Sequence, residues 1–468
     1  MFISSQLLIL CIIRLCEPIS FTVIFPMVAF MISEAEPRLS EKQIGFYSGS
    51  IESIFSLSQF LTIILWGKLS DRIGRRPVLS IGLIGVFLST LTFGLSKTFS
   101  QMMFSRALGG ILNGNAAVIK SMVGEITSQD KLALAFSLLP TFFAIGSIIG
   151  PVLGGYLSQP SQKFPNSWFG RSQFWIDHPW LLPCLVAGLF PLIGFALSLF
   201  ALEETLPARK PENPERRPLL ESDDDEGAID DQSASPQGLS KSNNSSNRVF
   251  ELLKDKNLVM ILVNYSILSF QTIGLDALIV LFAFTPIKSG GIGFTTSQIG
   301  ETLSIAGIFT LLIQVFLFPR LQKYLGTVKL YRICMSSYPI IFLLFPIINQ
   351  VALIESRIKE EVKRSSHLYV GVWIGVLALM GLKTLANMVF SCNMLLVNGS
   401  APTRDSLGTV NGLAQCCASF ARAISPMVSS SLFSISIINY KFLSGYTIFY
   451  GFSLVGLVGF YNSFRIKE

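Results

Sequence analysis

Apolar runs of roughly 20 residues, separated by short polar stretches, recur along almost the whole chain, and that is the length a helix needs to cross about 30 Å of hydrocarbon. The pattern predicts twelve membrane helices, near residues 6-32, 44-67, 78-97, 101-124, 131-158, 180-202, 257-287, 299-319, 329-350, 367-397, 408-433 and 446-464. Residues 203-256 break it with Pro, Ser and Asn and an acidic run from Glu221 to Asp231. That stretch reads as a cytosolic disordered linker between two six-helix bundles, 1-202 and 257-468. The first run holds Arg14 and Glu17 and lacks a cleavage site, so it reads as a retained helix rather than a signal peptide.

Composition agrees with a bilayer as solvent. Of 468 residues, 50% are apolar and 14% charged, and the mean hydropathy is +0.56. This excludes a cytosolic enzyme, a secreted disulfide scaffold and a disordered tail protein. With both termini in the cytosol, the loops and terminus on that side carry 19 of the 36 Lys and Arg residues and the opposite loops 11. The bias supports this orientation. The net charge of +7 is spread over every compartment and forms no patch for nucleic acid. His178 and His367 fall in loops, the seven cysteines lie in apolar segments as packing thiols, and no metal or nucleotide motif is present. No cofactor is implied, and the chain reads as a monomer in the lipid bilayer.

The two halves echo each other. Gln43-Ile44-Gly45 opens the second span and Gln298-Ile299-Gly300 the eighth, while Ile149-Gly150-Pro151 in the fifth is matched by Ile424-Ser425-Pro426 in the eleventh. The loop G-K-L-S-D-R-I-G at 67-74 has a degraded counterpart at 319-326. Parallel repeats imply a pseudo-two-fold axis along the membrane normal and a site between the halves at mid-depth.

Residues 67-77, G-K-L-S-D-R-I-G-R-R-P, resemble the signature loop of the major facilitator superfamily. The resemblance implies that Gly67 and Gly74 permit tight turns, that Asp71 pairs across helices, and that Arg72, Arg75 and Arg76 complete a charge cluster latching the halves in one state. G-S-I-I-G-P-V-L-G-G, with Gly146, Gly150, Pro151, Gly154 and Gly155, is similar to the signature of the drug:proton antiporter branch and implies a closely packed hinge. R-L-C-E-P-I (14-19), R-A-L-G-G-I-L-N-G-N (106-115) and the stretch 398-415 resemble zinc-induced-facilitator-like members of fungi and plants. The chain departs from the plant members in lacking their cysteine-rich amino-terminal motif and His-rich loop. In the second-half loop Lys323 stands where Asp71 stands in the first.

Charges inside the spans argue independently of any family. An Asp, Lys or Arg near a helix centre costs about 2.5 to 3.5 kcal/mol on the insertion scale. Nine ionisable groups are retained all the same: Arg14, Glu17, Glu52, Arg106, Lys120, Asp276, Arg332, Lys383 and Arg422. Lys120 and Arg332, near helix ends, read as snorkelling side chains. Polar stripes share faces with the others: Asn113 with Arg106, Gln59 with Glu52, and Gln415 with Arg422. Arg14, Glu17, Arg106 and Asp276 are the expected proton-coupling residues, with Glu17 and Asp276 as carriers. Glu52, Gln59, Asn113, Lys383, Asn387, Gln415 and Arg422 are expected to line the substrate cavity. No cation is evident beside Asp276.

The expectation is an all-α integral membrane protein of the major facilitator fold, moving a small molecule or ion by alternating access in exchange for protons, as multidrug-type efflux carriers do. Proton symport or uniport, or a non-transporting nutrient sensor, are the alternatives. No nucleophile and base suggest an enzyme. E-R-R-P-L-L from Glu215 to Leu220 fits an acidic dileucine signal for a sorting adaptor, and the expected location is a vacuolar or endosomal membrane or the plasma membrane of a eukaryote.

Overall fold

The computed structural model of the chain describes residues 5–40, 43–127, 132–205, 253–362, 370–400, 407–439 and 443–466, and no strand occurs among them. The apolar runs form twelve membrane helices in chain order. In the first half these are α1 (Ser5–Thr22, continued by Val28–Ala35), α2 (Ile44–Ile73), α3 (Arg75–Leu95), α4 (Phe99–Leu112, continued by Asn115–Ile126), α5 (Leu132–Leu157) and α6 (Leu181–Phe200). In the second half they are α7 (Lys256–Phe284), α8 (Thr296–Leu312, a π-helical turn Ile313–Leu317, then Phe318–Leu325), α9 (Thr327–Val362), α10 (Val370–Ala386, continued by Val389–Gly399), α11 (Leu407–Ile438) and α12 (Thr447–Ser463). Helix α9 runs well past its apolar stretch, so residues 351–362, expected as loop, are helical.

Three spans expected as continuous are broken, and two of the breaks have a local cause on the backbone. In α1, Pro26 has no amide to offer, and the N–H groups of Met27 and Val28 both return to the carbonyl of Ile24, at 3.0 and 2.8 Å. In α4 the break falls at Asn113 and Gly114, where the backbone lies against Trp66 of α2 so closely that a Cβ on Gly114 would come within 2.4 Å of its side chain. In α10 it falls at Asn387 and Met388. Hydropathy does not register these breaks. Interrupted helices free backbone polar groups at membrane depth, which is tolerated only where they are buried in protein or line a polar cavity.

Helices α1–α6 pack together, as do α7–α12. The second bundle has one continuous core rich in aromatics, with Phe345 stacked on Phe449 at 4.6 Å and Phe282 edge-on to Phe345 at 5.0 Å. The core of the first bundle is divided in two. Leu10, Cys16, Leu79 and Met122 belong to the part nearer residues 67–77, and Ile19, Met27, Ile51 and Phe93 to the part farther away. Glu17 and Asn113 lie in sequence between the two parts, so a polar layer crosses this bundle at mid-depth.

The bundles meet at the end remote from residues 67–77, along two seams related by the internal repeat. On one, Ser297 and Ser304 of α8 donate to the carbonyls of Gly155 and Ile148 of α5 at 3.1 and 3.2 Å, and Tyr156 donates to Glu301 at 2.6 Å. A Cβ on Gly155 would lie 2.9 Å from the Thr296 carbonyl oxygen, and one on Gly300 would lie 2.5 Å from that of Pro151. On the other, the Met427 amide donates to Ser53 at 2.9 Å. There a Cβ on Gly49 would lie 2.6 Å from the Pro426 carbonyl oxygen and one on Gly45 2.8 Å from that of Ser430. The echoed Gly45 and Gly300, and the echoed Pro151 and Pro426, are thus the parts of the chain where the halves touch.

Lys163, in a short helix (Pro160–Lys163) after α5, spans the first seam by donating to the Gly155 carbonyl, to Ser158 and to Thr296 of α8. Burial pulls its pKa down to about 8, so it remains mainly charged at neutral pH. Toward residues 67–77 the same helix faces come apart. Leu57 and Leu61, the turns of α2 after Ser53, are 43% and 64% exposed, as Ile308 and Leu312 of α8 are 48% and 46%. The molecule is closed at the far end and opens toward the signature loop.

Because backbone meets backbone at Gly155, Gly155→Val should prop the far end open. A cysteine at Ser297, introduced where Cys416 and Cys417 are serine, should be alkylated slowly in the parent and about tenfold faster in Gly155→Val, a shift of roughly 1.4 kcal/mol. Equal rates would show that the seam does not hold that end shut.

Candidate functional site

The charges predicted from sequence assemble between the bundles into three groups. In the first, Arg14 pairs with one carboxylate oxygen of Glu17, three residues on and on the same face of α1. The other oxygen accepts from Asn113 Nδ2 at 2.9 Å. Asn113 reaches it because α4 breaks there, and its backbone carbonyl accepts a hydrogen bond from Gln59 of α2 at 3.4 Å. The Arg14 guanidinium lies over the ring of Phe143 of α5, 4.9 Å from its centroid. Lys120 of α4 and Arg422 of α11 are charged neighbours of Arg14 and Glu17. Arg422 donates to Ser419 on its own helix at 3.0 Å. The sequence reading of Lys120 as a snorkelling side chain is therefore corrected: it faces the charges between the bundles.

The second group is buried. Glu52 and Arg106 are 6% and 4% exposed, and Arg106 and Asp276 are the charged neighbours of Glu52. The guanidinium of Arg106 sits over Phe55 at 4.3 Å and Phe21 at 5.5 Å, while its Nε and Nη2 lack hydrogen-bond partners. Buried guanidinium donors are costly to leave unpaired, and aromatic faces replace only part of the lost hydration. A small cavity touched by Glu17, Ser20, Arg106 and Asn113 joins this group to the first.

The third group is an ion pair in the second bundle, Lys383 Nζ to Asp276 Oδ1 at 2.6 Å. Asp276 thus has a cation after all, supplied by α10 and invisible in sequence because 107 positions separate the two residues. Asn387, at the break in α10, turns a buried Oδ1 without a partner toward the protein interior. The side chain of Gln415 lies outside the described residues.

The signature loop forms a fourth network at the open end. The turn from α2 to α3 is made by Gly74 alone, at φ +108°. Gly67 is helical, with open space beside it, and makes no turn. Asp71, 61% exposed, pairs with Arg75 across the turn at 2.5 Å. Arg75 also holds Glu125 at the end of α4 at 3.0 Å, and Arg76 donates to the Ser198 carbonyl of α6 at 2.8 Å. Arg72 is exposed. The carboxylate of Glu204 accepts the amides of Arg75 and Arg76 at 2.8 and 3.1 Å, an anion placed on the first turn of α3.

Residues 10–426 match the model of the Major Facilitator Superfamily. The chain belongs to this superfamily. It is 30% identical to the major facilitator superfamily multidrug transporter mfsB of Aspergillus fumigatus, covering 100% of this chain and 84% of the relative. It is likewise 30% identical to ZINC INDUCED FACILITATOR-LIKE 1 of Arabidopsis thaliana, covering 91% and 83%. Among solved structures the D-xylose-proton symporter superposes with a TM-score of 0.68 at 15% identity, covering 99% of this chain and 96% of that one. The chain is a membrane transporter of the major facilitator fold and not an enzyme.

The glycine string of this facilitator has two working faces. Gly146, Gly150 and Gly154 let α5 press against α1, where added Cβ atoms would lie 2.7 Å from the Leu15 carbonyl oxygen, 2.9 Å from that of Ile19 and 2.0 Å from that of Val23. Pro151 and Gly155 face α8 at the seam. Sequence reasoning missed Glu125 and Glu204, whose only signal was a carboxylate at each helix end facing the arginine-rich loop. Arg332 donates to the carbonyls of Ser463, the last residue of α12, and of Ile466 beyond it, at 3.3 and 3.1 Å, which accounts for its charge structurally.

The pair Asp276 and Lys383 should behave as one unit. Asp276→Asn and Lys383→Met should each lower the melting temperature in detergent more than the double variant does, with a coupling energy on the order of 1 kcal/mol for so accessible a carboxylate. Additive losses would mean the two charges act independently.

Proposed function

We propose that this facilitator carries a small organic solute across its membrane by rocking its two bundles, and that Glu17 takes up and releases the coupling proton. The observation that carries the reading is the Arg14, Glu17 and Asn113 contact at the foot of the open cleft, between the two parts of the first bundle's core. A carboxylate held by one movable cation and one amide changes its proton affinity when that cation moves. Arg422 belongs to the opposite bundle, so rocking changes its distance from Glu17. Asp276, held by Lys383, is the second titratable group on the path. The name of the Aspergillus relative, a multidrug transporter, supports organic solutes as cargo.

Exchange against protons was expected from the string on α5. Its glycines pack α1 and close the far seam, which serves gating and does not fix the direction of coupling. We place the signature loop on the cytosolic side together with both termini, with residues 203-256 as the linker between domains 1-202 and 257-468. Most of that linker, including Glu215 to Leu220, lies outside the described residues. An adaptor reading that string would direct the protein to a vacuolar or endosomal membrane.

Two measurements test the reading. In proteoliposomes loaded with a labelled organic solute, Glu17→Gln should reduce flux driven by a pH gradient at least about tenfold while exchange of solute against itself persists. Wild-type flux with unchanged dependence on the gradient would remove Glu17 from the coupling. The second concerns Asp71, exposed at the open end and paired with Arg75 across its own turn. Asp71→Asn should increase alkylation of cysteines placed in the cleft from the loop side and slow transport, because the closed form of this end would lose its latch. Unchanged accessibility together with full transport would reduce the loop to a topology signal.

A further inference from the structure

The charges between the bundles do not balance. Glu52 has Arg106 as its cationic neighbour and Asp276 is paired with Lys383, which leaves Arg14, Lys120 and Arg422 around the single carboxylate of Glu17. Among the described residues, the surroundings of that carboxylate supply no second anion. Arg14 comes from its own helix, Lys120 from α4 and Arg422 from α11, while α5 presents Phe143 and α7 presents Tyr265 beside Arg422. Lys120 is exposed to the cleft, Glu17 is 14% and Arg14 15% exposed, and the cleft opens toward the signature loop. Three cations beside one carboxylate at the foot of an open cleft leave a net positive potential that attracts an anion entering it.

We propose that Arg422 and Lys120, together with Arg14, bind the carboxylate, sulfonate or phosphate of an anionic solute, and that solute and proton bind with positive linkage because the anion and Glu17 compete for the same cations. The proposal rests on the assignment of the coupling proton to Glu17 and adds the charge class of the cargo and the sign of the coupling. The sign follows from charge alone. With Glu17 ionised, Arg14 is occupied and an incoming anion meets a like charge. Once Glu17 is protonated, Arg14 is released to the anion and the repulsion is gone. Linkage is reciprocal, so the bound anion raises the proton affinity of Glu17 by the same factor. Anion and proton therefore occupy the cleft together and travel in one direction, and the unloaded carrier returns with Glu17 ionised on Arg14.

The test uses the full chain in nanodiscs and two permanently charged aromatics of similar size, p-toluenesulfonate and benzyltrimethylammonium, whose own charges do not change between pH 5.5 and 7.5. The sulfonate should bind and the ammonium should not. Sulfonate affinity should rise as pH falls, by no more than about tenfold per pH unit for one linked proton. Lys120→Met, at a side chain already facing the cleft, should weaken sulfonate binding about tenfold or more. Arg422→Lys should do so with the fold retained, since it keeps the charge and loses the planar donor fork. Glu17→Gln should bind the sulfonate more tightly than the parent does at pH 7.5, with no dependence on pH. Preference for the ammonium, or sulfonate binding indifferent to Lys120→Met and Arg422→Lys, would overturn the anion site and leave Glu17 coupling standing. Sulfonate binding that tightens as pH rises would overturn the sign of the linkage. A pH dependence identical in the parent and in Glu17→Gln would instead remove Glu17 from the coupling, and the linkage with it.

Discussion

A charge in hydrocarbon must have a counter-charge, a proton or water, and the interior of this transporter is arranged around that requirement. The Glu17 carboxylate is the clearest instance. One oxygen is met by Arg14 from its own helix, and the other is met by Asn113 only because α4 is interrupted at that residue. The interruption in turn exposes a carbonyl, which Gln59 fills. Helix break, polar layer and divided core in the first bundle therefore all meet at one acid at mid-depth. The second bundle holds its acid with a single ion pair on the cleft side and keeps its aromatic core whole.

Closure at the far end is achieved by other means. Backbones approach until a single added carbon would collide, at Gly155 and Gly300 on one seam and at Gly45 and Gly49 on the other. Such contacts gain dispersion energy without long side chains to disentangle, and the hydrogen bonds across the seams are made by small hydroxyls. A seam of this kind parts and re-forms at modest cost. Bulky interdigitating side chains would make the closed form hard to leave.

The sequence carried the fold because a span and a charge within a span are both conspicuous against an apolar background. It also carried the internal repeat, whose echoed glycines and prolines prove to be the contact points of the seams. What it could not carry were relations between distant positions. Lys383 was named, and so was Asp276, but nothing local says that they touch. Lys120 read as a snorkelling residue because its place along α4 was known and its face relative to α1 and α11 was not. The breaks at Asn113 and Asn387 were missed for a different reason, since hydropathy averages over the window in which a single turn fails. Gly67 was given a turn by resemblance, while the geometry needs only Gly74, the one position of the loop with positive φ.

Gate and charge site are joined through α5 and α11. One face of α5 grips α1 through Gly146, whose position is 2.7 Å from the Leu15 carbonyl once a Cβ is added, two residues from Glu17. Its other face forms the seam with α8. Helix α1 therefore moves with α5, and Glu17 moves with α1. In the opposite bundle Arg422 lies one turn before Pro426, which meets Gly49 at the second seam. Parting the seams displaces α5 from α8 and α11 from α2, and so displaces Arg422 relative to Glu17. A cation leaving or approaching a carboxylate changes its proton affinity, and this rigid packing is the route by which the coupling proposed for Glu17 would follow the opening of the far end.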